Sequence, residues 1–99
     1  MTEKDFEDFK QHARVDDLVD NTDYLRTLYV AAEETVIGLT GRTESELVAL
    51  YGEIPGSLKV AVRQLATTWY EHPDAYENAS GAAVPYGISF IVSRYRKLT

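Results

Sequence analysis

The stretch Ile54 to His72, IPGSLKVAVRQLATTWYEH, carries the clearest helical pattern in the chain. Pro55 suits the start of a helix, and Pro73 disfavours helical geometry at the residue before it, so the two prolines bracket the segment. Between them, apolar residues recur at the spacing of one helical face: Leu58, Val62, Leu65, Ala66 and Trp69. Val60 and Ala61 widen this face, which indicates neighbours on more than one side. We therefore predict a central core helix over residues 55–72.

The bulk properties bound the class of protein. A chain of 99 residues predicts a single domain, residues 1–99, with a modest core. It has no cysteine, which excludes disulfides and thiolate metal sites. The opening residues MTEKDFEDFK lack the apolar core of a signal peptide, and no apolar run approaches membrane-spanning length. We expect a soluble protein that is made in the cytoplasm and does not enter a membrane.

The net charge of −6 is unevenly distributed. Residues 1–50 hold 12 acidic and 5 basic side chains, a balance of −7, whereas residues 51–99 hold 4 acidic and 5 basic side chains, a balance of +1. An acidic domain repels the phosphates of DNA, which argues against tight general DNA binding. Such asymmetry suits the orientation of one copy against another or against a partner, although solvated faces without a partner explain it equally well.

Two helices are predicted before the central one. The first begins at a Thr2 cap, with Asp5 in a loose capping box, and buries one side made of Phe6, Phe9 and Ala13. The second begins at Asn21 or Thr22 and ends at Thr40-Gly41. Its apolar stripe comprises Leu25, Leu28, Tyr29, Ala32, Val36 and Leu39.

Two shorter helices complete the pattern. A capping box at Thr43 and Glu46 opens a helix that carries Leu47, Leu50 and Tyr51 and closes at Gly52. Residues 73–85 are small and unpatterned, which indicates a surface loop, expected to be mobile or to order against a neighbouring subunit. The last helix, residues 86–95, places Ile88, Ile91 and Val92 inward. No segment alternates as a strand does, so we predict an all-α fold, a small bundle of four to five helices.

Catalytic and metal-binding patterns are missing from the sequence. It has neither a phosphate-binding glycine-rich loop nor a nucleophile elbow. His12 and His72 have no second histidine at ligand spacing. The acidic residues between positions 16 and 23 do not match a calcium loop, because Leu18 and Tyr24 fall where ligands are needed. We predict a protein that is not an enzyme and uses no cofactor or metal.

A helix-turn-helix over residues 44–63 is the alternative function class. Gly52 would lie in the turn, and the second helix would display Lys59, Arg63, Gln64 and Thr67 to DNA. Against this reading, Val48 stands where close helix packing requires a small residue, and the linker of residues 52–56 is long for such a turn. The acidity of the domain also disfavours a small DNA-binding regulator.

The order of the landmarks resembles the phage head–tail connector family. Three blocks carry the resemblance, within residues 14–42, 55–71 and 85–96. The most specific features are the helix end Trp69-Tyr70-Glu71, a loop of about a dozen residues, the sequence Pro85-Tyr86-Gly87 and the closing Tyr95-Arg96. Residues 43–53 do not fit the family pattern clearly.

The resemblance implies a structural virion protein at the head–tail interface of a tailed bacteriophage. Members of this family form a ring of about twelve copies beneath the portal, which requires one patch to meet a different patch on the next copy. The portal and the next tail-side connector protein would be the partners. Double-stranded DNA would pass through the channel without specific binding, helped by an acidic lining.

Six residues are the candidates for an assembly interface: Arg94, Arg96, Lys97, Tyr76, Asp16 and Asp17. The basic residues follow the apolar face of the last helix, where no further core position is expected. We therefore predict that residues 93–99 act in assembly and contribute little to stability. They would meet acidic groups, such as those at residues 16–23, on an adjacent copy or acidic groups on the portal. The alternative is a solvated end that complements the helix dipole.

Overall fold

The central helix is present, and the other long helices pack around it. In the computed structural model, which describes residues 2–13, 22–72 and 86–96, helix α4 spans Gly56–Glu71. The carbonyl of Pro55 accepts hydrogen bonds from the N–H groups of Leu58 and Lys59 at 3.0 and 3.2 Å, so Pro55 caps the helix from one residue outside it. The buried face of α4 comprises Leu58, Ala61, Val62, Leu65, Ala66 and Trp69.

The described residues form four helices besides α4, and three of them pack on it. Helix α1 spans Glu3–Ala13 and helix α2 spans Thr22–Leu39. Helix α3 spans Glu44–Tyr51, and helix α5 spans Tyr86–Ser93. Helices α1, α2 and α5 all pack on α4, with α2 making the largest contact. The prediction of neighbours on more than one side is therefore confirmed, and the described residues form an all-α bundle of five helices.

The interface between α2 and α4 holds the centre of the core. Leu65 and Trp69 are 2% and 6% exposed, and the predicted α2 residues Leu25, Leu28, Tyr29, Ala32 and Val36 are buried with them. Helix α1 adds Phe6 and Phe9, whose ring centroids lie 5.8 and 5.4 Å from that of Tyr29. These three aromatic rings attach α1 to the α2–α4 pair.

The predicted capping residues form the hydrogen bonds expected at the helix starts, and the predicted glycine ends α3. The Thr2 hydroxyl accepts from the N–H of Asp5 at 3.2 Å, and the Asp5 carboxylate accepts from the N–H of Thr2 at 2.9 Å. Thr43 and Glu46 form the same reciprocal pair at the start of α3, both at 3.1 Å. Gly52 ends α3 with φ of 84°, a conformation that favours glycine because a Cβ atom is strained there.

One apolar position of the predicted α2 stripe does not face inward, and two that the predicted third helix carries are exposed as well. Leu39, Leu50 and Tyr51 are 37%, 56% and 48% exposed, while Ile37, which the predicted stripe omits, is buried. Leu39 is the last residue of α2 and lines an open cleft beside α5. Helix α3 has eight residues and buries only Leu47, because no described helix packs along its length. A helical period identifies apolar positions, but the neighbours decide which of them are covered.

Some predictions fall on residues that the structure does not describe. They are the loop at residues 73–85, the alternative start of α2 at Asn21, and the acidic residues at 16, 17 and 20. Those expectations stay predictions.

Replacing the core tryptophan tests the packing of α2 on α4. Trp69→Ala should lower the free energy of unfolding by about 3–5 kcal/mol, because it removes a large buried ring and leaves a cavity. Phe90→Ala is the matched control: its ring is 56% exposed, so the loss should stay within about 0.5 kcal/mol. Urea denaturation followed by circular dichroism measures both. Equal stability of the two variants would contradict this account of the core.

Candidate assembly surfaces

The candidate interface residues are only partly within the described chain. Arg94 and Arg96 are exposed just beyond α5. Lys97, Tyr76, Asp16 and Asp17 lie outside the described residues, so the structure does not test a pairing of the basic end with the acidic residues at 16–23. Asp23, the one member of that acidic group that is described, lies exposed in the first turn of α2.

The described chain after α5 contacts the fold, which disagrees with the prediction that residues 93–99 contribute little to stability. Their predicted role in assembly stays a prediction. Tyr95 is half-buried and packs against the core. The Nε of Arg42 donates to the Tyr95 carbonyl at 3.1 Å, and the rings of Tyr51 and Tyr95 meet edge to face at 5.5 Å and 89°. The prediction failed because Tyr95 finds its partners in residues more than 40 positions away. Helical periodicity within α5 carries no information about such contacts.

One candidate surface, which we call the α5 edge, combines apolar and basic groups: Leu39, Phe90, Arg94 and Arg96. The ring of Phe90 is 56% exposed, and the Arg94 guanidinium lies 5.7 Å from its centroid. Arg96 and Leu39 border a small cleft of about 60 Å³ together with Ser89, Val92 and Ser93, on a different face of α5 from Phe90 and Arg94. An exposed aromatic ring next to arginine is the composition that interface centres favour.

Another candidate surface, which we call the acidic groove, lies between α2 and the start of α3. It has a volume of about 320 Å³ and is lined by Val30, Glu33, Glu34, Ile37 and Glu44. Burial raises the pKa of Glu33 above its ordinary value, and the nearby carboxylates of Glu44 and Asp5 act in the same direction. The groove thus has an apolar floor with a negatively charged rim.

The exposed side of α3 continues this surface. Val48 is 42% exposed and lines a shallow depression with Glu44, Ser45 and Ala49, so the depression shares Glu44 with the acidic groove. In the sequence, residues 43–53 did not fit the connector family pattern clearly, although the capping box located α3. The outward apolar side of α3 follows only from the lack of a described helix packed along it.

The face of α4 proposed for DNA recognition is turned toward α1. The Nζ of Lys59 lies 3.6 Å from the Asp5 carboxylate. Lys59 and Arg63 line one cleft together with Asp5, Asp8 and Tyr29. The Nε atom of Arg63 is buried without a hydrogen-bond partner among the described residues. Helix α3 does not pack along α4 as the first helix of a helix-turn-helix does. This geometry disfavours the DNA-binding alternative.

The described residues contain no group of three His, Asp or Glu side chains placed to hold a metal ion. Within the same ranges, none of the helices combines the length and the apolar character that crossing a membrane requires.

The family model described as phage gp6-like head-tail connector protein matches residues 3–97. The chain belongs to this connector family. Membership indicates a structural role in the virion and implies contact with phage portal and tail proteins. Among curated proteins and among solved structures, nothing matches the chain.

Replacing Tyr51 tests how the end of the chain is held. Tyr51→Ala should lower the free energy of unfolding by about 0.5–1.5 kcal/mol, because it removes the ring against which Tyr95 packs. Leu50→Ala is the control, since Leu50 is the more exposed neighbour on the same helix and should change stability by less than about 0.5 kcal/mol. Thermal denaturation gives both values. A smaller effect at Tyr51 than at Leu50 would refute the docking of Tyr95.

The contact between α1 and α4 should make stability depend on pH. Burial acts to raise the pKa of Asp5, but the hydrogen bonds from Thr2 and the charge of Lys59 outweigh it and hold that pKa below its ordinary 3.8. A lowered pKa in the folded state stabilises the protein above the unfolded pKa, and this stabilisation is lost as the pH falls through the folded value.

Lys59→Gln should therefore move the pKa of Asp5 upward. An NMR titration of the Asp5 carboxyl between about pH 6 and pH 2 measures this. Between the same limits, the melting temperature of Asp5→Asn should fall less than that of the wild type. An unchanged Asp5 titration in Lys59→Gln would show that the ion pair does not act on this carboxyl.

Proposed function

We propose that the chain forms a closed ring of about twelve copies beneath the portal of a tailed bacteriophage. The ring extends the DNA channel, completes the head and receives the next tail-side connector protein. The proposed role is structural and requires neither catalysis nor a cofactor. The protein is made in the host cytoplasm and ends in the virion at the head–tail interface.

The observation that carries the proposal is the family match, which extends over residues 3–97 and thus includes all five helices. Two unlike surface patches support the proposal, and so does the net charge of the chain. The described surface has an acidic groove and a separate basic, aromatic edge. Unlike patches on one molecule suit a head-to-tail contact, and head-to-tail contacts close into rings when the rotation between copies permits.

The net charge of the chain suits a channel through which DNA passes without being bound. A net charge of −6 disfavours binding to phosphates, and DNA binding by basic side chains weakens as fewer of them meet the backbone. DNA in a channel lined by acidic side chains slides without specific contacts. The proposed assembly residues are Arg94, Arg96, Lys97, Tyr76, Asp16 and Asp17, and the exposure of Arg94 and Arg96 supports this assignment.

Assembly on the portal tests this function. Purified chain mixed with the portal protein of its own phage should give a ring stacked on the portal, seen by negative-stain imaging, with a mass from light scattering that corresponds to about twelve added copies. Arg94→Glu combined with Arg96→Glu should reduce ring formation while the melting temperature stays near that of the wild type, because Tyr95 is retained. A wild-type chain that neither assembles nor docks would overturn the proposal.

Binding to free DNA distinguishes the connector from a regulator. In a gel-shift assay at physiological salt, the chain should not retard duplex DNA, because an acidic surface lacks the phosphate contacts that give salt-dependent affinity. The Lys59→Gln and Arg63→Gln variants should behave as the wild type does. A sequence-specific shift that either substitution abolishes would favour the regulator instead.

A further inference from the structure

We propose that the acidic groove of one copy receives the α5 edge of the next copy, with Phe90 on the apolar floor and Arg94 beside Glu34. This inference rests on the proposed ring and assigns the two unlike patches that the ring needs. The occupant of the groove is a second copy of this chain.

Chemical complementarity is the first argument. Three of the five residues that line the groove are glutamates, and the other two, Val30 and Ile37, are aliphatic. The α5 edge offers the opposite set, an aromatic ring that is 56% exposed and the guanidinium of Arg94 against it. Arginine stacked on an aromatic ring buries both groups together and still presents its N–H groups to a carboxylate.

The place of the two patches on α2 is the second argument. Ile37 borders the acidic groove and Leu39 borders the α5 edge, and both belong to the last turn of α2. Residues two positions apart on an α-helix point about 200° apart around its axis. The acidic groove and the cleft at Leu39 therefore lie on different sides of α2, and no described residue of α5 lines the groove of its own copy.

This placement determines the kind of assembly. When the edge of one copy occupies the groove of the next, the first copy keeps an open groove and the second keeps an open edge. Each further copy repeats the same contact, which gives a closed ring or a filament and not a two-fold dimer. The contact also uses side chains that the core does not need, since Val30, Glu34, Phe90 and Arg94 are all exposed in the single chain.

Crosslinking between chosen positions tests the contact directly. The natural chain has no cysteine, so each introduced thiol is unique. Glu34→Cys and Arg94→Cys are prepared separately, and a short bis-maleimide crosslinker is added to each variant alone and to their mixture, with and without the portal protein. The mixture should give a crosslinked dimer, and neither variant alone should give one. A chain that carries both substitutions should give a ladder of multimers.

Charge reversal gives a second readout without a crosslinker. Glu34→Arg and Arg94→Glu should each weaken assembly by about tenfold or more, and the two together in one chain should restore it, because the pair is then complementary again. Phe90→Ala should weaken assembly without lowering the melting temperature. Glu71→Arg is the control: it makes the same charge change at an exposed position outside both patches and should leave assembly unchanged.

The outcomes separate this contact from the ring itself. A dimer crosslinked by a single variant alone would mean that like patches meet, which overturns the proposal. Wild-type rings on the portal, with no crosslink in the mixture and no rescue by the double reversal, would overturn the contact and leave the connector function standing. If the wild-type chain does not assemble at all, the proposed function fails, and this contact fails with it.

Discussion

The packing of α2 on α4 is the interaction on which the rest of the structure depends. Full burial of one leucine or valine side chain contributes about 1.5–3 kcal/mol, and the net stability of a domain is about 5–15 kcal/mol. The buried leucines and valine of α4 alone are therefore comparable with the entire stability margin. Helix α1 attaches through Phe6 and Phe9 on Tyr29, and α5 attaches through Ile88 and Val92. Both helices contact α4 more extensively than they contact α2, so they extend the core that α2 and α4 centre.

A core built around one helix leaves other apolar side chains uncovered. Helix α3 has no described helix along its length, so Val48 and Leu50 stay on the surface, and Phe90 does the same on α5. Exposed apolar residues next to charged ones are typical of surfaces that bind other proteins. The exposure of Val48, Leu50 and Phe90 in the single chain is compatible with the proposed assembly of this connector.

Electrostatics acts differently inside the fold and on its surface. The Lys59 and Asp5 pair lies between α1 and α4, and it occupies basic groups that a DNA-binding helix would display. The acidic groove and the arginines near α5 remain at the surface, where single charge pairs contribute little to the stability of one chain. In the proposed ring, these charges would determine which surfaces of two copies meet, since like charges repel and unlike charges attract as the copies approach each other.

The sequence alone determined the helices and most of their ends, although the last helix, predicted over residues 86–95, ends at Ser93. The repeat from Leu58 to Trp69, the capping pair of Thr43 and Glu46, and the stop at Gly52 are local signals, and each is present as predicted. The family followed from the order of a few landmarks and is confirmed by the match over residues 3–97. Of the candidate interface, the sequence supplied Arg94 and Arg96, because a cluster of basic residues is visible without a structure.

The tertiary structure alone decided which apolar side chains are covered and which surfaces lie together. Leu39 and Ile37 are two residues apart in one helix, yet one is exposed and the other is buried, since different neighbours border them. The acidic groove joins α2 to the start of α3, and Tyr95 meets Arg42 and Tyr51 across more than 40 positions. Local periodicity cannot specify such pairings, because burial is a property of the surrounding helices and not of the residue itself.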